Sequence, residues 1–187
     1  RGDDSLMEPT DPPVLLTDVT DRIGTITLNR PDRRNALNGE LIEALDAAVT
    51  RMANDDAVKV VILTGAASPG ATGGFCAGGD VKEGATVVGP DGVRRPTDAG
   101  VPRNAFEGEL ARHDLHAAMQ LHLMPKPTIA MVGCPAVGAG FSLAAACDLR
   151  YASDEAVFAA NFTPNGLSGD YGGTFLWTRI LGTARTR

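Results

Sequence analysis

The chain has 187 residues, 43% of them hydrophobic, and its 17 Lys+Arg against 23 Asp+Glu give a formal net charge of -6. That composition suits a globular fold of one domain, with an appendage at most, and leaves no broad basic field for neutralising nucleic-acid phosphates. No uninterrupted apolar run approaches bilayer-spanning length, and the opening RGDDSLMEPTDPP is acidic rather than leader-like, so the expectation is a cytoplasmic protein without membrane or nucleic-acid partners.

Residues 1–12 read as a disordered tail and residues 13–187 as the folded core. In VLLTDVTDRIGTITLNR, Ile26 and Leu28 alternate with threonines and an asparagine, which predicts two short strands around a turn at Asp21 to Gly24. A basic loop, RPDRRNALN, follows. Asn38 is a favoured N-cap type, and Leu41, Leu45, Ala48, Val49 and Met52 recur at helical spacing, predicting a helix to about Ala53 with its apolar face on a sheet. VKVVILTG at 58–65 is a nearly continuous β-branched run, the pattern of a strand covered on both faces. GGFCAGGDVKE at 73–83 then gives up side chains over much of its length, although each glycine loses more backbone entropy on folding than any other residue.

Residues 84–104 are rich in Gly, Pro and Asp and lack periodicity, predicting a long mobile loop. A helix over 105–124 places Phe106, Leu110, His113 and Ala117 on one face. KPTIAMVG at 126–133 is a second buried strand, and CPAVGAGFSLAAACD takes a glycine turn into an alanine-rich helix. LRYAS and AVFAANF suggest two more short strands, and a last helix starts near Gly172 and stops at Leu181-Gly182. Alternating buried strands and helices give an α/β architecture. Its recurrent feature is a buried strand followed by a Gly/Ala-rich turn at or near a helix start.

Glycine turns after strands commonly cradle phosphate, but GAASPGATGG lacks the lysine and Ser/Thr that a P-loop needs. GAGFSL begins like a dinucleotide fingerprint, yet Leu143 stands at its third glycine position and no acidic residue sits about twenty residues on in a suitable strand-end context. Both runs instead fit an oxyanion hole, in which each turn aims one backbone NH at a shared oxygen and the positive end of the following helix adds favourable potential. Cys76, Cys134 and Cys147 are scattered without metal-ligand spacing and read as reduced thiols, with no metal site.

LNRPDRRNALN, VVILTG, GGFCAGGDVKE, KPTIAMVGCPAVGAGFSLAAACDLRYAS and FTPNGLSGDYGGT together resemble the crotonase, or enoyl-CoA hydratase/isomerase, family, in register from about residue 23 to 187. The resemblance implies a crotonase-like (ClpP/crotonase) ββα spiral, with the C-terminal helical part of the family missing from this chain, and a homotrimer or hexamer. The partner is an acyl-CoA thioester, coenzyme A being part of the substrate rather than a separate cofactor. It places the two oxyanion donors at the amides of Gly79 and Ala139. Ala77, Gly79, Asp80, Val81 and Lys82 would line the pantetheine and adenine, with Ala36 and Leu37 shaping the adenine pocket and Arg33 and Arg34 meeting CoA phosphates. A solvated loop is the alternative for those arginines.

A polarised thioester supports either hydration or double-bond isomerisation of an enoyl-CoA, as in fatty-acid metabolism. The two glutamate positions of the family's hydratases read Ser142 and Phe162 here, and neither side chain is a general base at neutral pH. The remaining candidate is Asp170 in GLSGDYGG, which matches a catalytic aspartate of other branches; the competing reading makes it the cap of the helix near Gly172. The alternative to an enzyme is an acyl-CoA-binding protein with lost or altered catalysis. Asp80 is expected to hold its turn through backbone NH groups.

Overall fold

The computed structural model describes residues 12–71, 73–80, 86–88, 94–96, 109–165 and 169–186. Val81, Lys82 and nearly all of the expected tail lie outside the described residues. In chain order the first elements are β1 (Leu15–Thr20), β2 (Ile23–Leu28), α1 (Gly39–Asn54), β3 (Val60–Gly65), β4 (Thr86–Val88) and β5 (Arg94–Pro96). Then come α2 (Glu109–Leu123), β6 (Thr128–Val132), β7 (Ala136–Val137) and α3 (Ala139–Ala146). The chain continues through β8 (Leu149–Ala152), β9 (Phe158–Ala159), α4 (Gly173–Leu181) and α5 (Thr183–Thr186).

β1 and β2 form an antiparallel hairpin with Leu15 opposite Leu28. Asp21 and Arg22 make its turn at φ 51° and 67°, the pair of left-handed residues that a two-residue hairpin needs. The remaining strands of this sheet pair in parallel, in the order β1-β2-β3-β6-β8. Parallel neighbours require a crossover. Helix α1 makes the first, α2 the second, and β7 with α3 the third.

Alternation puts Ile26, Leu28, Val61, Leu63, Ala130 and Val132 on one face of the sheet, all buried. They share a core with Leu41, Leu45, Val49 and Met52 of α1, Ala117 and Leu121 of α2, and Leu143 of α3. Each large side chain so buried is worth about 1.5–3 kcal/mol. Asn38 caps α1 by accepting the Leu41 amide at 3.0 Å, as its residue type predicts. At the other end Lys126 Nζ donates to the Met52 and Asp55 carbonyls at 2.7 and 2.6 Å, satisfying acceptors the helix leaves open.

A second, shorter parallel ladder runs beside the main sheet: Leu37 bridges Gly79, Cys76 bridges Ala136, and Val137 pairs with Ala159. Each circuit of the chain thus leaves one strand in the main sheet and a short segment in this ladder before entering a helix. That repetition is the ββα spiral.

Some expectations shift in detail. Within 84–104 the described residues form the antiparallel pair β4 and β5, with Val87 opposite Arg95; three-residue strands carry too little alternation to be read. AVFAANF yields only Phe158–Ala159 as strand, and Asn161, at φ 48°, turns the chain away. Helix α4 stops at Gly182 as expected, but α5 follows directly. Among the described residues no helix is long and apolar enough to cross a membrane, and no His/Cys/Asp/Glu group is placed to hold a metal.

Candidate active site

The two glycine turns abut. A Cβ added at Gly78 would lie 3.0 Å from the Val137 carbonyl oxygen and 3.7 Å from the Ala139 nitrogen, and one at Gly138 would lie 3.7 Å from the Gly78 Cα. Gly78 and Gly138 also take φ of 97° and 54°, so a side chain at either is opposed by backbone conformation as well as by space. Beyond them, a Cβ at Gly79 would meet nothing within 4 Å. The turn therefore opens outward there.

Two amides are left over by this arrangement. In the Leu37–Gly79 bridge, Leu37 donates to the Gly78 carbonyl at 2.8 Å and Asp80 donates to the Leu37 carbonyl at 2.9 Å, which turns the Gly79 NH to the opposite side. Ala139 is the first residue of α3, where the helix has no acceptor for its NH. Among the described residues neither amide donates to another part of the chain. Ala139 takes the helical start without strain, and its own side chain is buried.

The basic loop locks onto the first turn through residues that charge alone does not single out. Arg30 Nη1 donates to the Ala36 carbonyl at 2.6 Å and to Asp80 Oδ2 at 2.9 Å, an ion pair whose side chains are 9% and 5% exposed. Asn35, fully buried at φ 55°, accepts the Arg30 amide and donates to the Ala66 carbonyl, both at 2.9 Å. It pins the exit of β2 to the exit of β3. Asparagine is among the few residue types that tolerate this left-handed backbone. Arg33 and Arg34, the arginines picked out by the sequence, are exposed.

Asp170 is half-buried two residues ahead of Gly172, the N-cap of α4, and its backbone carbonyl accepts the Gly173 amide at 2.8 Å. Its charge reaches Cys76. Burial first, and then the nearby Asp170 carboxylate, push the Cys76 thiol up to about 12, against a hydrogen bond from the Gly78 amide. Cys76 is thereby held as a neutral, unreactive thiol, and the Asp170 segment meets the second turn through Gly173, which lies against Ser142.

Ser142 is fully buried, its hydroxyl donating to the Gly138 carbonyl at 3.4 Å, and a Cβ at Gly173 would fall well inside 3.0 Å of its Oγ. Helix α4 sits directly on Ser142 and leaves no room for a longer side chain. Phe162 is half-buried with its ring beside the second turn, 3.8 Å from the position of a Cβ at Gly138. Phe141 and Trp177 stack at 4.3 Å between centroids, and Trp177 Nε1 donates to the Phe141 carbonyl at 3.0 Å, which locks α4 against α3.

The family model for Enoyl-CoA hydratase/isomerase matches residues 18–187. The chain belongs to this family. Among curated relatives it is 37% identical over 164 residues to a probable enoyl-CoA hydratase of Mycobacterium leprae, covering 87% of this chain and 51% of that protein. It is 36% identical over 171 residues to the 1,2-epoxyphenylacetyl-CoA isomerase of Escherichia coli K12, covering 91% and 59%. Similar solved structures include an enoyl-CoA hydratase of Mycobacterium avium subsp. paratuberculosis K-10, with TM-score 0.74, 29% identity and coverage of 96% and 62%. A Thermobifida fusca YX structure, described as an enoyl-CoA hydratase in complex with CoA, has the same TM-score and identity and coverage of 92% and 62%. The chain thus spans between half and two thirds of the length of these relatives.

Ala36, Leu37, Ala77, Gly79, Asp80 and Ala139 gather around the abutting turns, with the Phe162 ring beside the second turn and Asp170 in the segment whose Gly173 packs on Ser142. Arg34 stands exposed at the edge of the basic loop. The Asp80 carboxylate makes a contact that the sequence did not single out, accepting from Arg30. For Arg30 and Asn35 the sequence carries no signal beyond an asparagine among arginines at the end of a buried strand. His116 lies beside Asp46, Nδ1 to Oδ2 at 4.0 Å, in a shallow cleft lined also by Thr50, Arg51, Asn54 and Asp55, which shares no residue with the turns.

Proposed function

We propose that the chain binds a CoA thioester and shifts a carbon–carbon double bond along its acyl group, by way of an enolate held on the Gly79 and Ala139 amides. Asp170 takes a proton from the acyl chain, and the released electron pair moves through the conjugated system onto the thioester oxygen. The two amides stabilise that oxygen; in comparable sites one such donor is worth about 3 kcal/mol of barrier. Asp170 then returns the proton to the other end of the allylic unit. No water is consumed and nothing departs.

The observation that carries this reading is the combination at the second turn. One carboxylate residue, Asp170, accepts the Gly173 amide through its carbonyl, and that same Gly173 packs on Ser142 and seals its position. Hydration in this family takes two carboxylates, and a proton shift takes one. The isomerase among the relatives and the CoA complex among the similar structures support the reaction class and the ligand. Ala36, Leu37 and the segment from Ala77 to Lys82 would hold the pantetheine and adenine, and Arg34 a CoA phosphate. No separate cofactor takes part, and assembly as a trimer or a pair of trimers in the cytoplasm belongs to the same proposal.

The test is incubation with enoyl-CoA and dienoyl-CoA thioesters in D2O, read by mass spectrometry and NMR. Double-bond migration is expected, with deuterium entering only in turnovers where the Asp170 proton exchanges with solvent before its return, and Asp170→Asn should slow migration by about 10²–10⁴-fold while CoA affinity survives. Unchanged turnover in Asp170→Asn takes Asp170 out of the mechanism. Addition of one water identifies a hydratase instead. The second reading, favoured by Ser142 and Phe162 at the hydratase carboxylate positions, is a binding protein without catalysis, which would bind the thioester and show neither product nor exchange.

A further inference from the structure

We infer that Arg30 is the positioning residue of the first oxyanion donor, an inference that rests on the reading of Gly79 given above. Four contacts close a ring around Gly79. Arg30 Nη1 holds the Ala36 carbonyl at 2.6 Å and Asp80 Oδ2 at 2.9 Å. Leu37 donates to the Gly78 carbonyl at 2.8 Å, and Asp80 donates to the Leu37 carbonyl at 2.9 Å. The guanidinium thus ties the residue before Leu37 to the residue after Gly79, and the backbone bonds tie Leu37 to both neighbours of Gly79. Gly79 itself is exposed and has no side chain to hold it. Its NH direction depends on the ring.

Arg30 is in turn fixed from behind. Its amide donates to Asn35 Oδ1 at 2.9 Å, and its carbonyl accepts the Arg33 and Asn35 amides at 2.9 and 2.8 Å. The pair bridges 50 positions of sequence and is almost wholly withdrawn from solvent. A buried ion pair adds little net stability over well-packed neutral groups, but its loss on one side leaves an uncompensated charge. Its contribution here is geometric. It holds the entry of the proposed adenine pocket at Ala36 and the donor at Gly79 as one rigid piece, so that an acyl-CoA seated by its nucleotide end presents its carbonyl to an amide already in place. A donor misplaced by about 1 Å can lose on the order of 10²-fold in rate.

The experiment reads the donor directly. In the full chain, butyryl-CoA carrying a 13C thioester carbonyl is bound at saturation and its carbonyl stretch recorded by difference infrared spectroscopy, alongside kcat and CoA affinity. The unsubstituted protein should move the band to lower frequency. The double variant Arg30→Met/Asp80→Asn removes both charges together and should melt near the parent, yet at saturating thioester lose most of the band displacement and about 30–100-fold in kcat. Because a single nitrogen makes both Arg30 contacts, Arg30→Lys restores part of them and should fall between parent and double variant in band and kcat. It also serves as the reading if the double variant fails to fold. Either variant folded with the parent's band and kcat overturns the role of Arg30. A parent that leaves the carbonyl band where it lies in water sinks the oxyanion reading itself, and this inference with it.

Discussion

Replacing Gly140 with alanine tests whether the contact between the two turns sets turnover. A methyl at this position would lie 2.7 Å from the Cys76 Cβ and well inside 3.0 Å of the Cys76 carbonyl oxygen, whereas ordinary contacts begin at 3.4 Å. The obstacle is largely backbone in a fully buried segment, which no rotamer change relieves. The first turn of α3 must therefore retreat from the first glycine turn by on the order of 1 Å, carrying the Ala139 amide with it, and a displacement of that size costs about 10²-fold in rate. Stability should change far less. Overpacking destabilises by about 1–3 kcal/mol, and the gain of alanine over glycine within a helix returns about 1 kcal/mol. The net loss of roughly 1 kcal/mol lowers Tm by about 2–4 °C. Double-bond migration at saturating thioester gives kcat, and a thermal melt reports the fold. A folded Gly140→Ala protein with kcat within about threefold of the parent would refute the argument, since the spacing of the turns would then be immaterial to catalysis.

Two further outcomes follow from burial. Asn35→Ala removes two hydrogen bonds and places a Cβ residue without asparagine's tolerance at φ 55°, so it should destabilise by about 2–4 kcal/mol in a denaturant melt; Asn35→Gly, which keeps the backbone angle, should lose less, and equal losses would show that the angle contributes nothing. Burial raises both Cys76 and Cys147 from 9.0 to about 12, with Asp170 adding at Cys76, the Gly78 amide opposing there, and Arg150 opposing at Cys147. Their neutral forms favour the folded state below the unfolded thiol pKa; as pH rises from about 9 toward 12 the unfolded chain sheds protons that the folded chain keeps, so stability should fall across that window. Iodoacetamide at pH near 8 should modify half-exposed Cys134 and spare the other two, as read by peptide mass spectrometry, and native-state labelling of Cys76 would contradict its burial.

How much could be read in advance depended on whether the signal was periodic. Helix α1, its Asn38 cap and its buried face follow from spacing and one side chain, because a helix repeats its own geometry and needs no distant partner to be legible. The buried strands β3 and β6 announce themselves by runs of β-branched residues. The β4 and β5 hairpin did not, since three residues carry no period, and for the same reason AVFAANF signalled a strand but not that it would shrink to Phe158–Ala159. Asp170 presented a choice between cap and site. The cap position belongs to Gly172, and α4 brings Gly173, whose amide the Asp170 carbonyl accepts, onto Ser142, a meeting that local pattern cannot express.

By itself the sequence determined the alternation of strand and helix, the two glycine turns and the absence of a carboxylate at 142 and 162, because each of these is a statement about neighbours along the chain or about residue type. Tertiary structure alone decided that the turns abut, that Arg30 rather than Arg33 or Arg34 grips Asp80, and that α4 closes over Ser142. Those are meetings between segments many residues apart, chosen by which buried polar groups find partners and which backbones lack a Cβ to keep them separate.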